Sequence, residues 1–485
     1  MSPTMLIGLG LLPLIIGISI ILLGRDTVSN LKLLVVLIPL EAFAVLEIGF
    51  TITLAYLVLV IIILSIIMKG TKLDTSIIGG RLIILYWIIA LISTVNGFFG
   101  QETAATFVSE NMRFRASGMR PILQYGLLLF HFLLFFIVVK FVQKEKDAFS
   151  LLKIHLYFGL FLMCLGITQY VLYVVNFPLI DFTWAIPLID NSSTIEYGKV
   201  RLYSAGVSDY SIRTTFIESL HFADYLNSVL PIIVAFWFTK SKEIKKMFGF
   251  LATPTASIIG ILAMLLTFSR SGWGGFAIAM LILIIWLAPR TAFIHIPLAT
   301  VGTSLIVVLL SSFGFFIGNS QSLFELIKGR FELENILFGP RAQYFLVLWD
   351  SFKEHPLLGL GAGRFALFGA EATGSDQVHS SHGILWGALA DFGLLGFVIL
   401  LAFMLTILIS LYKSIQSLEK DSPQRVILIG IFAALCAVYF QSLFVGDRIQ
   451  FYLVLLMGLS VVLINLYKQK TSDMLHTDQK TIDSI

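Results

Sequence analysis

Arg270 stands in the middle of LLTFSRSGWGGFAIA (265–279), a run otherwise apolar enough to lie in a membrane. At the bilayer centre an arginine costs at least about 2.5–3.5 kcal/mol on insertion scales, which points to a turn between two spans. Its chemistry is specific. A guanidinium stays charged and grips phosphate oxygens in a bidentate fork, which lysine matches poorly. Arg213, Arg341 and Arg364 follow on other segments, and His379 and His382 stand in VHSSHGILWGALADFGLLG (378–396). Ser380 or Ser381 is placed to cap the helix that begins there. The positive end of a helix dipole favours neutral imidazole, the form a general base needs. Both residue types have plainer uses: arginines snorkel to lipid headgroups, and an interfacial histidine bridges to water.

The elements that must carry these residues are membrane spans. Of 485 residues, 58% are hydrophobic and only 13% charged, against about 25% charge in a soluble domain. Apolar runs of about span length cover 5–23, 31–46, 49–68, 80–99, 121–142, 151–176, 225–240, 248–268, 273–289, 293–317, 383–412, 425–445 and 449–467. They make thirteen spans, or twelve if 31–68, with Glu41 and Glu47, holds one span and a partly inserted segment. The first run lacks a basic start and is too long for a cleaved signal, so it reads as a retained helix. Cys164 and Cys436 fall mid-span and are expected as free buried thiols. The polar tail 468–485 is expected to be disordered. The fold class is therefore all-α, a polytopic transmembrane helix bundle with one large extracytoplasmic helical loop, 318–382.

Basic residues orient the bundle. KFVQKEKD (140–147), KSKEIKK (240–246), MKGTK (68–72), YKSIQSLEK (412–420) and YKQK (467–470) fall on one side, the cytoplasmic one. The other side receives ten of the fourteen arginines: Arg113, Arg115, Arg120, Arg201, Arg213, Arg270, Arg330, Arg341, Arg364 and Arg448. Only Lys199, Lys328 and Lys353 of the nineteen lysines join them. The positive-inside rule explains the inner lysines and predicts few outer cations of either kind. A shared anionic ligand explains why the outer ones are arginines.

Within the large loop, SLFELIKGRFELENILFG (322–339) has helical amphipathic spacing suited to an interfacial helix. GPRAQYFLVLWDSFKEHPLLGLG (339–361) reads as a helix that ends at His355-Pro356. Phe345, Leu348, Trp349 and Phe352 are expected on one apolar face of it, packed over the membrane domain. GLGAG (359–363) follows no strand and is no phosphate loop. A zinc pair at His379 and His382 lacks a cysteine and a clear third ligand, so no metal and no cofactor are expected. Asp391 lies nine residues from His382, roughly 13 Å along a helix, and reads as a buried acid hydrogen-bonded near Gly393 and Gly396.

Three of these stretches together resemble the O-antigen polymerase and ligase superfamily of polytopic membrane glycosyltransferases. LTFSRSGWGG (266–275) is similar to the family's Ser-Arg-x-x-Trp turn between spans. PRAQYFLVLWDSFKEHPLLGLGAGRF (340–365) is similar to its Arg, Trp and Pro-Leu-x-Gly-x-Gly-x-Gly segment. HGILWGALADFGLLG (382–396) is similar to its histidine-led, Gly-x-x-Gly pattern. RTTFIESLHFADYL (213–226) echoes an arginine-led stretch before a span. Order and topology agree over about 200–410. Gly383 departs from the asparagine that usually follows the histidine.

The resemblance implies a C-type glycosyltransferase-like fold and transfer of a glycan from a polyprenyl-diphosphate carrier to a hydroxyl of a glycan or lipid acceptor. It implies His382, Arg270 and Arg341 as catalytic residues, with Arg213, Arg364, His379 and Trp349 binding substrate. It also implies a bacterial plasma (inner) membrane, an extracytoplasmic site, the lipid bilayer as a partner and no nucleic acid. The expected divisions are 1–199 as an N-terminal bundle, 200–412 as the polymerase/ligase-like core, 413–467 as C-terminal helices and 468–485 as a cytoplasmic tail. A flippase or other transporter competes, but it should carry mid-span charges and repeated halves. A noncatalytic scaffold is the third reading.

Overall fold

The computed structural model describes residues 21–40, 44–47, 51–100, 119–174, 181–183, 199–201, 212, 214–216, 218–239, 241–287, 340–366, 368–369, 383–444 and 449–482. The helices are α1 (Thr27–Leu37), α2 (Leu54–Met68), α3 (Gly80–Gly100), α4 (Met119–Phe141), α5 (Glu145–Val174), α6 (Ser219–Phe238) and α7 (Lys242–Phe248). They continue as α8 (Pro254–Leu266), α9 (Arg270–Leu287), α10 (Pro340–Glu354), α11 (Ile384–Ser417), α12 (Pro423–Gln441) and α13 (Phe451–Ile482). Two short antiparallel hairpins complete the described chain, pairing Ala44–Glu47 with Thr51–Thr53 and Asp181–Thr183 with Lys199–Arg201. Among the described residues eight helices are long and apolar enough to cross a membrane, and nine if a pair bent by 44° counts as one span. The protein is a polytopic helical bundle.

That bent pair occupies the expected span 248–268. The chain turns at Thr253, whose hydroxyl accepts from the Ala256 amide, and α8 then opens with Pro254, a residue preorganised for a first helical turn. The expected span 31–46 is instead the eleven-residue α1, with its Asp26 cap, followed by the first hairpin. At 1.5 Å per residue, α1 and the fifteen-residue α2 each fall short of the roughly 30 Å hydrocarbon layer. The tail expected to be irregular is helical through Ile482. Its residues 468–482 contain neither Gly nor Pro, so a helix already nucleated by a buried span propagates through them. Cys164 is exposed on α5, not buried as expected. The expected spans 5–23 and 293–317 and the helix 322–339 lie outside the described residues.

α6 is the central helix, buried at every position from Phe222 to Phe236, and it packs chiefly against α12 and α9. Glycines allow the close approach. An added Cβ on Gly430 would lie 3.1 Å from Ile232, and one on Gly275 would lie 2.6 Å from the Ala437 carbonyl oxygen. Buried amides cross-link the same three helices. Asn227 Nδ2 donates to the Gly272 carbonyl at 3.1 Å and to Gln441 Oε1 at 2.6 Å, and Gln441 Nε2 donates to the Leu220 carbonyl at 3.0 Å.

These contacts also define the two ends of the bundle. The starts of α6, α9 and α11 meet the ends of α8 and α12 at one end, where Ile384 N donates to Ser442 O and Ile212 N to Leu266 O. Arg270 lies there. At the other end the start of α5 meets α7, with Lys153 over the Phe248 ring and Tyr157 donating to the Phe248 carbonyl. That end carries the described lysines of 140–146 and 242–246, while Arg270 lies at the opposite one.

Candidate active site

Arg270 is the first residue of α9. Ser269 forms the cap: its hydroxyl accepts from the Gly272 amide at 3.2 Å and its carbonyl from the Trp273 amide at 2.9 Å. Trp273 Nε1 donates to the Met264 carbonyl at the end of α8, also reached by the Thr267 hydroxyl. Phe268 takes φ +50 to make the tight reversal, a strained choice for a non-glycine residue. A cation at a helix start opposes the helix dipole. An anion at that place would be favoured by both the dipole and the guanidinium.

Arg364 is positioned by a different device. α11 breaks at Gly393, with φ 64 and ψ −164. The break frees backbone groups that the preceding loop takes up. Leu360 N donates to Ala390 O and Gly361 N to Asp391 O, while Leu394 N and Leu395 N donate to Pro356 O and Leu357 O. Gly359 and Gly393 face each other across this seam. Each has positive φ, and a Cβ on Gly359 would lie 2.5 Å from the Asp391 backbone, so the chains approach this closely only without side chains.

The Asp391 carboxylate then organises the end of the loop, its oxygens accepting from Gly363 N at 2.7 Å and Phe365 N at 3.2 Å. From the other side α3 contributes Ser93, whose hydroxyl meets the carbonyls of Leu358 and Asp391, and Thr94, which accepts from Ala362 N. Asp391 is half-buried rather than buried, and its partner is the glycine loop that carries Arg364. Partial burial lowers the Arg364 pKa, but a guanidinium starts high enough to remain charged.

A cavity of about 50 Å³ opens beside this loop, lined by Tyr86, Gln124, His131, Gly363, Gly387 and Asp391 among others. Ile384, two residues from His382, is also in its wall. His131 Nδ1 is 2.6 Å from the Leu127 carbonyl, which can only accept, so Nδ1 carries a proton; Nε2 is 3.3 Å from the Tyr56 hydroxyl.

Trp386 joins the segments that bear the expected site residues. Its ring is 5.6 Å from Phe345, one turn on from Arg341 in α10. Its Nε1 donates to the Leu443 carbonyl at 2.9 Å. Phe444 beside Leu443 contacts Phe440, which packs on Gly274 in the first turn of α9. Trp386 itself is four residues from His382. Arg270, Arg364, the first turn of α10 and the start of α11 are thus carried to one end of the bundle. Arg213, His379 and His382 lie outside the described residues. Arg341 is placed by its backbone in the first turn of α10.

Trp349 corrects an expectation. The buried stripe of α10 runs through Leu348 and Ser351, at 5% and 1% exposure, with Leu348 packed against Leu360, Phe365 and Ala390. Trp349 is 53% exposed, stacked on Phe352 with Lys353 over its ring. Positions 345, 348, 349 and 352 share one helical face, but the buried stripe is centred on Leu348 and Ser351, which leaves Trp349 on its outer edge. Sequence reasoning did not find Tyr86, Gln124, His131, Ser93 or Trp386. Only Trp386 lay in a quoted motif.

Among the described residues no group of three or more His, Cys, Asp or Glu side chains forms a metal site. No curated protein matches the chain. Residues 255–401, from α8 through the first half of α11, match the family described as O-antigen ligase. That stretch includes Arg270, Arg341, the glycine loop and the break at Gly393, so over it this multi-pass membrane protein is similar to the O-antigen ligase family.

Proposed function

We propose that the protein transfers a glycan from a polyprenyl-diphosphate carrier to a hydroxyl of a glycan or lipid acceptor, at the extracytoplasmic face of the bacterial plasma membrane. The observation that carries this reading is that Trp386, in α11 near His382, joins α10, which begins near Arg341, to the end of α12, which packs on α9 next to Arg270. Arg270 and Arg341 hold the diphosphate, with Arg364 or Arg213 assisting. As the sugar–oxygen bond to the carrier breaks, the electron pair leaves on the diphosphate, and fixed guanidinium groups stabilise that charge where it develops. His382 takes the acceptor proton or orients its hydroxyl, a contribution typically worth ~10²–10⁴ in rate. His379 and Trp349 are assigned to substrate binding.

In this reading the core is 200–412, flanked by the bundle 1–199, the helices 413–467 and the cytoplasmic tail 468–485. α3, from the N-terminal bundle, clamps the loop that carries Arg364. The lysine-rich end faces the cytoplasm by the positive-inside rule. Arginines supply the charge that a metal would otherwise provide, so the reaction needs none. A transporter is less well supported, because it should carry charges in mid-span and repeated halves, whereas the sequence places its charges at the ends of spans.

The test is transfer by purified protein, with a polyprenyl-diphosphate-linked glycan and candidate acceptors, with and without a chelator. Activity that survives chelation and falls at least ~100-fold in His382→Ala, at normal expression, is expected. Strict metal dependence, or full activity in His382→Ala, would overturn the assignment.

A further inference from the structure

The cavity beside the glycine loop is a second feature of this end of the bundle, and its lining differs from that of an anion site. Its polar side chains are those of Tyr86, Gln124, His131 and Asp391. Among the described residues no Arg or Lys lines it. A carboxylate in the wall repels phosphate, whereas this mixture of donors and acceptors suits a neutral, hydroxyl-bearing group.

The cavity is small. About 50 Å³ corresponds to roughly three to five water-sized positions, enough for one edge of a sugar ring with its hydroxyls. Gly363 and Gly387 leave the space that side chains would fill, and Tyr86 and Phe392, edge to face at 5.6 Å, supply aromatic walls. The polar wall is rigid. Asp391 is tied to the loop amides, and His131 is held by the Leu127 carbonyl, Tyr56 and a stacked Phe451 ring at 4.2 Å. Its location is also informative. Gly363 in the wall precedes Arg364, and Ile384 in the wall lies two residues from His382.

We propose that this cavity is a recognition slot for hydroxyl groups of the carrier-linked sugar, the ring bonded directly to the diphosphate. The slot rests on the donor assignment made above, because its ligand is the sugar next to the phosphates that the arginines hold. It selects donors by hydroxyl pattern through Tyr86 and Gln124. Asp391 contributes an acceptor while also holding the loop.

The experiment compares binding of bare undecaprenyl diphosphate with binding of the same carrier bearing a single N-acetylglucosamine, galactose or rhamnose. The full-length protein in detergent or nanodiscs is used. At least one sugar-bearing carrier should bind more tightly than the bare one. Tyr86→Phe and Gln124→Leu should each reduce that preference by roughly 2–10-fold, the effect of one lost neutral hydrogen bond. Both should bind the bare carrier as the unaltered protein does. Tyr86→Phe removes a single oxygen, so it keeps the test valid if Gln124→Leu folds poorly. If bare carrier binds but no sugar adds affinity, or if both variants keep the full preference, the slot is overturned while the diphosphate reading stands. If the bare carrier fails to bind, the diphosphate reading falls, and the slot with it.

Discussion

The Asp391 carboxylate accepts the Gly363 amide at 2.7 Å, and with it the Phe365 amide, so a single acid on α11 shapes the loop that carries Arg364. Hydrogen bonds to a charged group are worth about 1.5–3 kcal/mol each. Asparagine offers one acceptor oxygen and turns an NH₂ towards the other amide. Asp391→Asn should therefore lower the thermal midpoint in detergent and reduce transfer by about tenfold or more, and Asp391→Ala should do both more severely. Thermal unfolding and transfer assays on the same preparations check this. An Asp391→Ala protein with unaltered activity would show that the loop shape is irrelevant to the reaction.

The helix break makes its own prediction. Gly393 has φ 64, and a Cβ there would collide with the backbone of Leu357. Gly393→Ala should cost at least about 2 kcal/mol, from the left-handed backbone and the displaced loop. Gly126 in α4 has nothing within 4 Å of its would-be Cβ. Gly126→Ala should be neutral or should stabilise by up to about 1 kcal/mol through helix propensity. Paired thermal or denaturant melts of the two variants read the contrast.

Trp386 separates ring packing from hydrogen bonding. Trp386→Phe keeps an aromatic surface for Phe345 but loses the donor to the Leu443 carbonyl, a loss of about 0.5–1.5 kcal/mol. Trp386→Ala removes the ring that joins α10, α11 and the end of α12, with a cost of about 3–5 kcal/mol. Transfer activity should follow the same order, nearly retained in the first and lost in the second, when measured at matched membrane levels.

Arg364 predicts a pH signature. Burial lowers its pKa, but the guanidinium starts above about 12 and remains a cation through pH 9. Donor binding should therefore be flat between about pH 7 and pH 9 on the Arg364 side. In Arg364→Lys the ammonium starts near about 10.4, closer to the tested range, and the same burial lowers it further. That variant should lose its cation, and so donor affinity, as pH rises towards 9. Equilibrium binding of bare carrier diphosphate across this range measures the difference. Unaltered affinity for the bare carrier in Arg364→Ala would exclude Arg364 from diphosphate binding.

Composition and period alone determined that this chain fills a membrane with helices, because 58% apolar residues in runs of span length have no other stable arrangement. The position of Arg270 at a helix junction was legible for a related reason: the cost of burying a charge leaves few places for it. The ends of α8 and α9 agree with that reading within a few residues.

What tertiary structure decided was which ends meet and how. The break at Gly393 is not visible in the hydropathy of α11, because a glycine in an apolar run reads equally well as helix interior. Only the neighbouring backbone of 356–361, filling the vacated hydrogen bonds, makes the break favourable. Trp349 and Leu348 are adjacent apolar letters, and contact with Leu360, Phe365 and Ala390 selects Leu348 as the buried one. Tyr86, Gln124 and His131 belong to helices more than 200 residues before the glycine loop. A pattern along the chain carries local periodicity and charge. A cavity is made by side chains from distant segments, and their meeting is set by packing that no single stretch encodes.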